Sequence, residues 1–119
     1  MINKDKEVGG THYADMKIEP IELIEAFGLD FIQGSIIKYI SRYKNKNGVE
    51  DLKKAIHYCN MRIDSDSLFK RRLAELDEFA IKTYCMLNEL DDLENIIIEY
   101  VVSNELDKAA KEIENLINR

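Results

Sequence analysis

The sequence predicts an all-α fold, and three observations carry that prediction. Apolar residues recur at three- and four-residue spacing from Ile21 to Ile117, the period of helices with one buried face. No run alternates apolar and polar residues in the manner of a half-buried strand. The single proline, Pro20, stands where a helix would begin rather than inside one. At 119 residues the chain has the length of one domain. A chain of this size buries roughly two-thirds of its unfolded surface, which is enough for a core without disulfide or metal staples. No internal repeat of fixed period is present.

The elements follow in order. Residues 1–19 read as an extended arm, with Gly9-Gly10 permitting an unusual path and His12, Tyr13, Met16 and Ile18 as anchors. Glu19-Pro20 opens a short helix whose stripe is Ile21, Ile24 and Phe27, closed by Gly28 as a left-handed cap. Asp30 and Gln33 form a capping box for a second helix. Its apolar face is Ile32, Ile36, Tyr39, Ile40 and Tyr43, which leaves Lys38 and Arg42 on the other side, one turn apart. Lys44-Asn45-Lys46-Asn47-Gly48 is a turn by composition. A third helix runs from Val49 to Ile63, with Glu50 and Asp51 in its first turn, where acid suits the helix dipole, and Leu52, Ala55, Ile56 and Cys59 buried. Ser65-Asp66-Ser67 breaks the chain, with Ser67 a candidate N-cap. Phe69, Leu73, Leu76, Ala80, Leu87 and Leu90 then form a coiled-coil-like seam, with Thr83 at the skipped position. The phase slips near Asn88–Asp92, where Leu93, Ile97 and Tyr100 start a new stripe, and a last helix begins at Ser103 or Asn104 with Leu106, Ala110, Ile113 and Ile117 inward. The chain thus divides into a core over residues 1–64, with a basic helical hairpin, and a helical extension over 65–119, packed on the core or joining copies into a homo-oligomer.

Composition narrows the function. The chain is 45% hydrophobic and 34% charged, with 17 basic against 23 acidic residues and a net charge of −6. This excludes a generally basic nucleic-acid coat, and the abundance of Ile, Leu, Val, Phe and Tyr argues against disorder. The charge is unevenly spread: residues 1–60 are neutral, residues 61–119 carry the whole excess of −6, and residues 38–54 hold six basic and two acidic groups. The first residues contain no apolar leader and the longest aliphatic run is Ile96-Ile97-Ile98, so neither a secretory signal nor a membrane span is expected. Cys59 and Cys85 fall in apolar helical patterns and read as reduced core residues of a cytoplasmic protein. With no Cys-x-x-Cys or His-Glu-x-x-His, and with His12 and His57 far apart, no structural zinc is expected.

The segment 38–54 concentrates groups that suit phosphate. Arg42 offers a bidentate fork, and Lys38, Lys44, Lys46, Lys53 and Lys54 offer point charges. The amides opening the third helix add an anion site that Gly48 leaves approachable. Tyr39, Tyr43 or Tyr58 could stack on a base, and Asp51 could hold a metal ion or orient a nucleophile. A small phosphate ligand senses charges within about one Debye length, roughly 8 Å at physiological salt, so the acidic total does not discourage it. A long nucleic acid sums charge over a wide surface and is disfavoured.

The order His12-Tyr13, Ile18-Glu19-Pro20, Lys38-Tyr39-x-x-Arg42-Tyr43 and Gly48-x-x-Asp51-Leu52-x-Lys54-Ala55 resembles a family of small bacteriophage proteins known as a domain of unknown function. That family includes a nucleotide kinase of a T7-like phage, which phosphorylates deoxynucleoside monophosphates without a recognised nucleotide-binding motif. The likeness covers about residues 11–62, and residues 63–119 resemble nothing we can name. It implies a protein acting in the cytoplasm of an infected host cell, with ATP and magnesium as cofactors if it is a kinase.

No Gly-x-x-x-x-Gly-Lys-Ser/Thr loop is present, so Lys38, Arg42 and Lys54 would have to neutralise the phosphates. Asp51 would then be the base or magnesium ligand, with His12 orienting the acceptor hydroxyl and Tyr13, Tyr39, Tyr43, Lys44 and Lys46 completing the ligand site. Three other readings compete. Non-catalytic capture of a cyclic or ADP-ribose-type host immune signal would use the same cations without a base. A magnesium-dependent pyrophosphohydrolase would use Glu22 and Glu25 with Glu50 or Asp51, although Lys53 stands where its second acidic pair should finish. A helical adaptor would bind a host protein through an apolar stripe.

Overall fold

In a computed structural model, residues 17–63 and 77–119 are described. They form six α-helices and no strand: α1 (Pro20–Phe27), α2 (Phe31–Arg42), α3 (Val49–Ile63), α4 (Glu78–Leu87), α5 (Asp92–Val102) and α6 (Leu106–Ile117). No helix among them is long and apolar enough to cross a membrane. The expected arm anchors His12, Tyr13 and Met16, the cap Ser67, and the seam residues Phe69, Leu73 and Leu76 lie outside the described residues.

The local signals act as their chemistry requires. Pro20 occupies the first turn of α1, and the Glu22 carboxylate accepts the Glu19 N–H at 2.8 Å. Gly28 closes α1 at φ 60°, a left-handed conformation that costs a residue without Cβ nothing. Asp30 and Gln33 cap α2 reciprocally, with the Gln33 N–H donating to Asp30 Oδ1 at 2.9 Å and the Asp30 N–H to Gln33 Oε1 at 3.2 Å. After a short 3-10 turn over Tyr43–Asn45, Gly48 takes φ 54° and hands the chain to α3.

α2 is the central helix. It packs on α1, α3 and α5, while α6 lies against α3 and α5, and α4 rests mainly on α5. Ile36, Ile37 and Ile40 of α2 share one core with Leu52, Ala55 and Cys59 of α3, Ile97, Ile98 and Val101 of α5, and Ala109 and Ile113 of α6. Polar groups drawn into this core are paired: Gln33 donates to the Val101 carbonyl at 2.9 Å, and the Ser41 and Tyr84 hydroxyls meet at 2.7 Å. Burial pushes the Cys59 and Cys85 thiols up to about 12, so both are neutral core groups.

Several faces differ from the periodic reading. In α1 the buried residues are Pro20 and Leu23, while Ile21 is exposed. In α4 the buried set is Ile81, Tyr84 and Cys85, whereas the seam position Leu87 is exposed. α6 begins at Leu106 and buries Ala109 and Leu116, with Ala110 and Ile117 half-buried. Arg42 is the largest departure. Expected on the solvent side of α2, it is 8% exposed, because α3 folds back over that side.

Candidate functional site

The hairpin of α2 and α3 brings five of the ten expected site residues together. Arg42 closes α2 and Asp51 sits in the first turn of α3, so the turn between them sets the two side chains face to face. Arg42 Nε donates to Asp51 Oδ2 at 3.1 Å and a terminal guanidinium nitrogen donates to Oδ1 at 3.2 Å, a bidentate pair. Asn47 adds a longer contact to Oδ1 at 3.4 Å. The Asp51 carboxylate is fully buried. Asp51 is thus the counter-ion of Arg42, and both of its oxygens are engaged.

One turn further along the hairpin, Tyr39 of α2 lies beneath three cations. The Lys38 ammonium is 4.7 Å from the ring centroid, the Arg42 guanidinium carbon 4.9 Å and the Lys54 ammonium 5.7 Å. All are within the reach of a cation–π contact. Tyr58 of α3 stacks on Tyr39 with centroids 6.0 Å apart and an interplanar angle of 20°. Phe31 and His57 meet Tyr58 edge-on at 5.9 Å and 5.8 Å. Lys54 is exposed and Lys38 half-buried, and neither forms an ion pair with a described residue.

The other expected residues go elsewhere. Tyr43 donates its hydroxyl to the buried Glu94 of α5, and Lys44 pairs with the same carboxylate at 2.9 Å and with the Glu89 carbonyl at 3.4 Å. Burial, then the bond to Glu94 and its charge, hold the Tyr43 hydroxyl well above the usual tyrosine range. Lys46 is exposed beside a cavity of about 410 Å³, which Tyr43, Lys44 and Arg119 also line. Arg119 there pairs with Asp91 at 2.6 Å. His12 and Tyr13 fall outside the described residues.

The acidic cage proposed for a pyrophosphohydrolase is not assembled. Glu22 turns back to the Glu19 N–H, Asp51 faces Arg42, and no cluster of three His, Cys, Asp or Glu among the described residues could hold a metal ion. Sequence reasoning missed Glu94, although Asp91-x-x-Glu94 is a capping box in form and the structure shows it as one, the Glu94 N–H donating to Asp91 Oδ1 at 3.0 Å and the Asp91 N–H to Glu94 Oε1 at 2.7 Å. It also missed the pairing of Arg62 with Asp30, which ties the end of α3 to the start of α2. No short-range pattern signals that contact, because the partners are 32 positions apart.

No curated protein and no solved structure matches this chain. Residues 8–60, which hold α1, α2 and most of α3 and with them the whole Tyr39 cluster, match the model of a family described as a protein of unknown function, DUF3310.

Proposed function

We propose that the protein binds a small phosphorylated nucleotide on the Tyr39 face of the hairpin. The observation that carries this reading is the pair of lysines, Lys38 and Lys54, set over one aromatic ring without an ion-pair partner among the described residues. Two ammonium groups, 4.7 Å and 5.7 Å from one ring centroid, offer a phosphate charge-assisted hydrogen bonds, and the Tyr39–Tyr58 stack offers the rest of the ligand an aromatic surface. Arg42 contributes a charge already balanced by Asp51, so its part is to hold the hairpin in register.

Between phosphoryl transfer and capture, the state of Asp51 favours capture. A general base or magnesium ligand needs a carboxylate that substrate can reach. Asp51 would have to release Arg42 and leave full burial to act so. The resemblance to phage proteins then points to sequestration of a nucleotide-derived signal of an infected host. The kinase reading, with ATP and magnesium, is the competing outcome of the same experiment. Purified protein is titrated with nucleoside mono- and diphosphates, a cyclic dinucleotide and ADP-ribose, and separately incubated with ATP, magnesium and each deoxynucleoside monophosphate. Saturable binding that Lys54→Ala weakens, with no diphosphate formed, supports capture. Diphosphate production replaces capture with phosphoryl transfer. Absence of binding to every nucleotide overturns the proposal.

A further inference from the structure

A cavity of about 480 Å³ lies between α1 and α2, in the size range of small-molecule sites. Its broad surfaces are apolar, from Ile21, Ile24, Leu29 and Phe31. Phe31 is 75% exposed and Ile21 44%. Single exposed apolar side chains are ordinary, but two on the wall of one apolar cavity mark a surface that a ligand would cover. The polar groups of the same wall are mostly engaged or closed off. Glu19 is buried with its Oε2 sealed from solvent, and Asp30 pairs with Arg62 and accepts from the Gln33 N–H. Ser35 brings a hydroxyl, which both donates and accepts. Lys38 lines the cavity and also stands 4.7 Å from the Tyr39 centroid, so the cavity adjoins the phosphate-binding face.

Phe31 and Lys38 lie two turns apart on one face of α2, a rise of about 10 Å at roughly 1.5 Å per residue. Phe31 also meets Tyr58 at 5.9 Å, and Tyr58 stacks on Tyr39, so aromatic surface runs from the lysines to the cavity. An exposed ring and an ammonium group at that separation fit a ligand whose flat ring and phosphate are held apart by a spacer, as the sugar does in a nucleotide. We infer that the bound nucleotide stacks its base on Phe31 in this cavity, and that the site reads the face of the base rather than its edge. The inference rests on the phosphate reading given above and names the ligand class that reading left open. Every base has a π-face, so stacking accepts purine and pyrimidine alike. Edge reading would need a fixed donor or acceptor. Glu19 is sealed, Asp30 is paired, and the Ser35 hydroxyl serves an amino or a carbonyl group equally.

The test is titration calorimetry of the full chain with AMP, CMP and ribose 5-phosphate at one salt concentration. Both nucleotides are expected to bind about tenfold or more tighter than ribose 5-phosphate, the usual worth of one stacked base, and within about fivefold of each other. Phe31→Ala is expected to lower AMP and CMP affinity about tenfold, with an unmoved unfolding midpoint because the ring is 75% exposed. Phe31→Leu keeps an apolar side chain without a π-face and should lose nearly as much, whereas Phe31→Trp should bind at least as tightly as wild type. Equal affinity for AMP and ribose 5-phosphate overturns this inference and leaves the phosphate reading intact. AMP binding unchanged in Phe31→Ala or in Phe31→Leu also overturns it, since the ring is then not the stacking surface. A preference of about a hundredfold or more between AMP and CMP overturns the face reading, because an edge is then being read. No binding of any of the three ligands overturns both this inference and the phosphate reading.

Discussion

The two ends of the basic hairpin carry the same kinds of residue and meet different fates. At the turn end, Tyr43 and Lys44 converge on Glu94, and the nearby Arg119 is paired with Asp91. At the other end, Lys38 and Lys54 stand over Tyr39 with no carboxylate partner among the described residues. The difference comes from the acidic half of the chain, whose α5 presents Glu94 to the turn. A local excess of positive charge in sequence therefore does not mark one site. It marks a region whose cations are divided between structural pairing and an open face, and the open face is where a ligand's charge is still needed.

The comparison breaks most visibly at the hairpin's buried pair. Arg42→Ala should cost about 3–5 kcal/mol of stability, because it strands the Asp51 carboxylate in the core. Replacing both partners with apolar residues, Arg42→Met with Asp51→Leu, should restore much of that loss. Urea denaturation of the three proteins checks both statements, and a loss below about 1 kcal/mol for Arg42→Ala would show the pair to be ornamental.

At the turn end, Tyr43→Phe should cost about 1–3 kcal/mol by removing the donor from buried Glu94, with nucleotide affinity unchanged. The pH dependence follows from the raised Tyr43 ionisation. The neutral hydroxyl is the form the fold favours, so its contribution is full below the unfolded tyrosine value of about 10 and is lost as pH rises beyond it. Wild type should therefore approach Tyr43→Phe in stability above that pH, and parallel denaturation curves at neutral and alkaline pH would reveal a constant gap if the account were wrong.

At the open end, Lys54→Ala should weaken binding of a nucleoside monophosphate about tenfold while leaving the unfolding midpoint in place. Lys44→Ala should show the reverse pattern, lower stability with affinity kept. Exchange of those two phenotypes would move the ligand to the turn end of the hairpin. The smallest effect belongs to Arg119→Ala, whose exposed pair with Asp91 should leave the unfolding midpoint unchanged within error.

Much of the architecture was legible locally. The Asp30–Gln33 capping box, Pro20 at the start of α1, Gly28 at its end and the limits of α3 all rest on interactions spanning a few residues, and each occurs where its pattern stands. Helix faces were less legible. Periodicity shows that a helix has an apolar stripe, but Leu87 belongs to the stripe of α4 and is exposed, while Arg42 belongs to the polar side of α2 and is buried. The candidate site divided in the same way. Lys38, Tyr39, Arg42 and Lys54 are neighbours because the i, i+4 spacing and the hairpin turn make them so, whereas the removal of Tyr43 and Lys44 to Glu94 depends on a helix about fifty positions away, 51 for Tyr43 itself.

Sequence alone determined an all-α chain, its caps and turns, and a basic hairpin that concentrates cations between residues 38 and 54. These follow from backbone hydrogen bonding and from spacing along one helix, which act over one or two turns. Only the tertiary structure decided that Asp51 neutralises Arg42, that Glu94 takes Tyr43 and Lys44, and that Lys38 and Lys54 remain over Tyr39. Whether a charge is available depends on which opposite charge reaches it and how much water remains between them, and both are set by the packing of helices far apart in the chain.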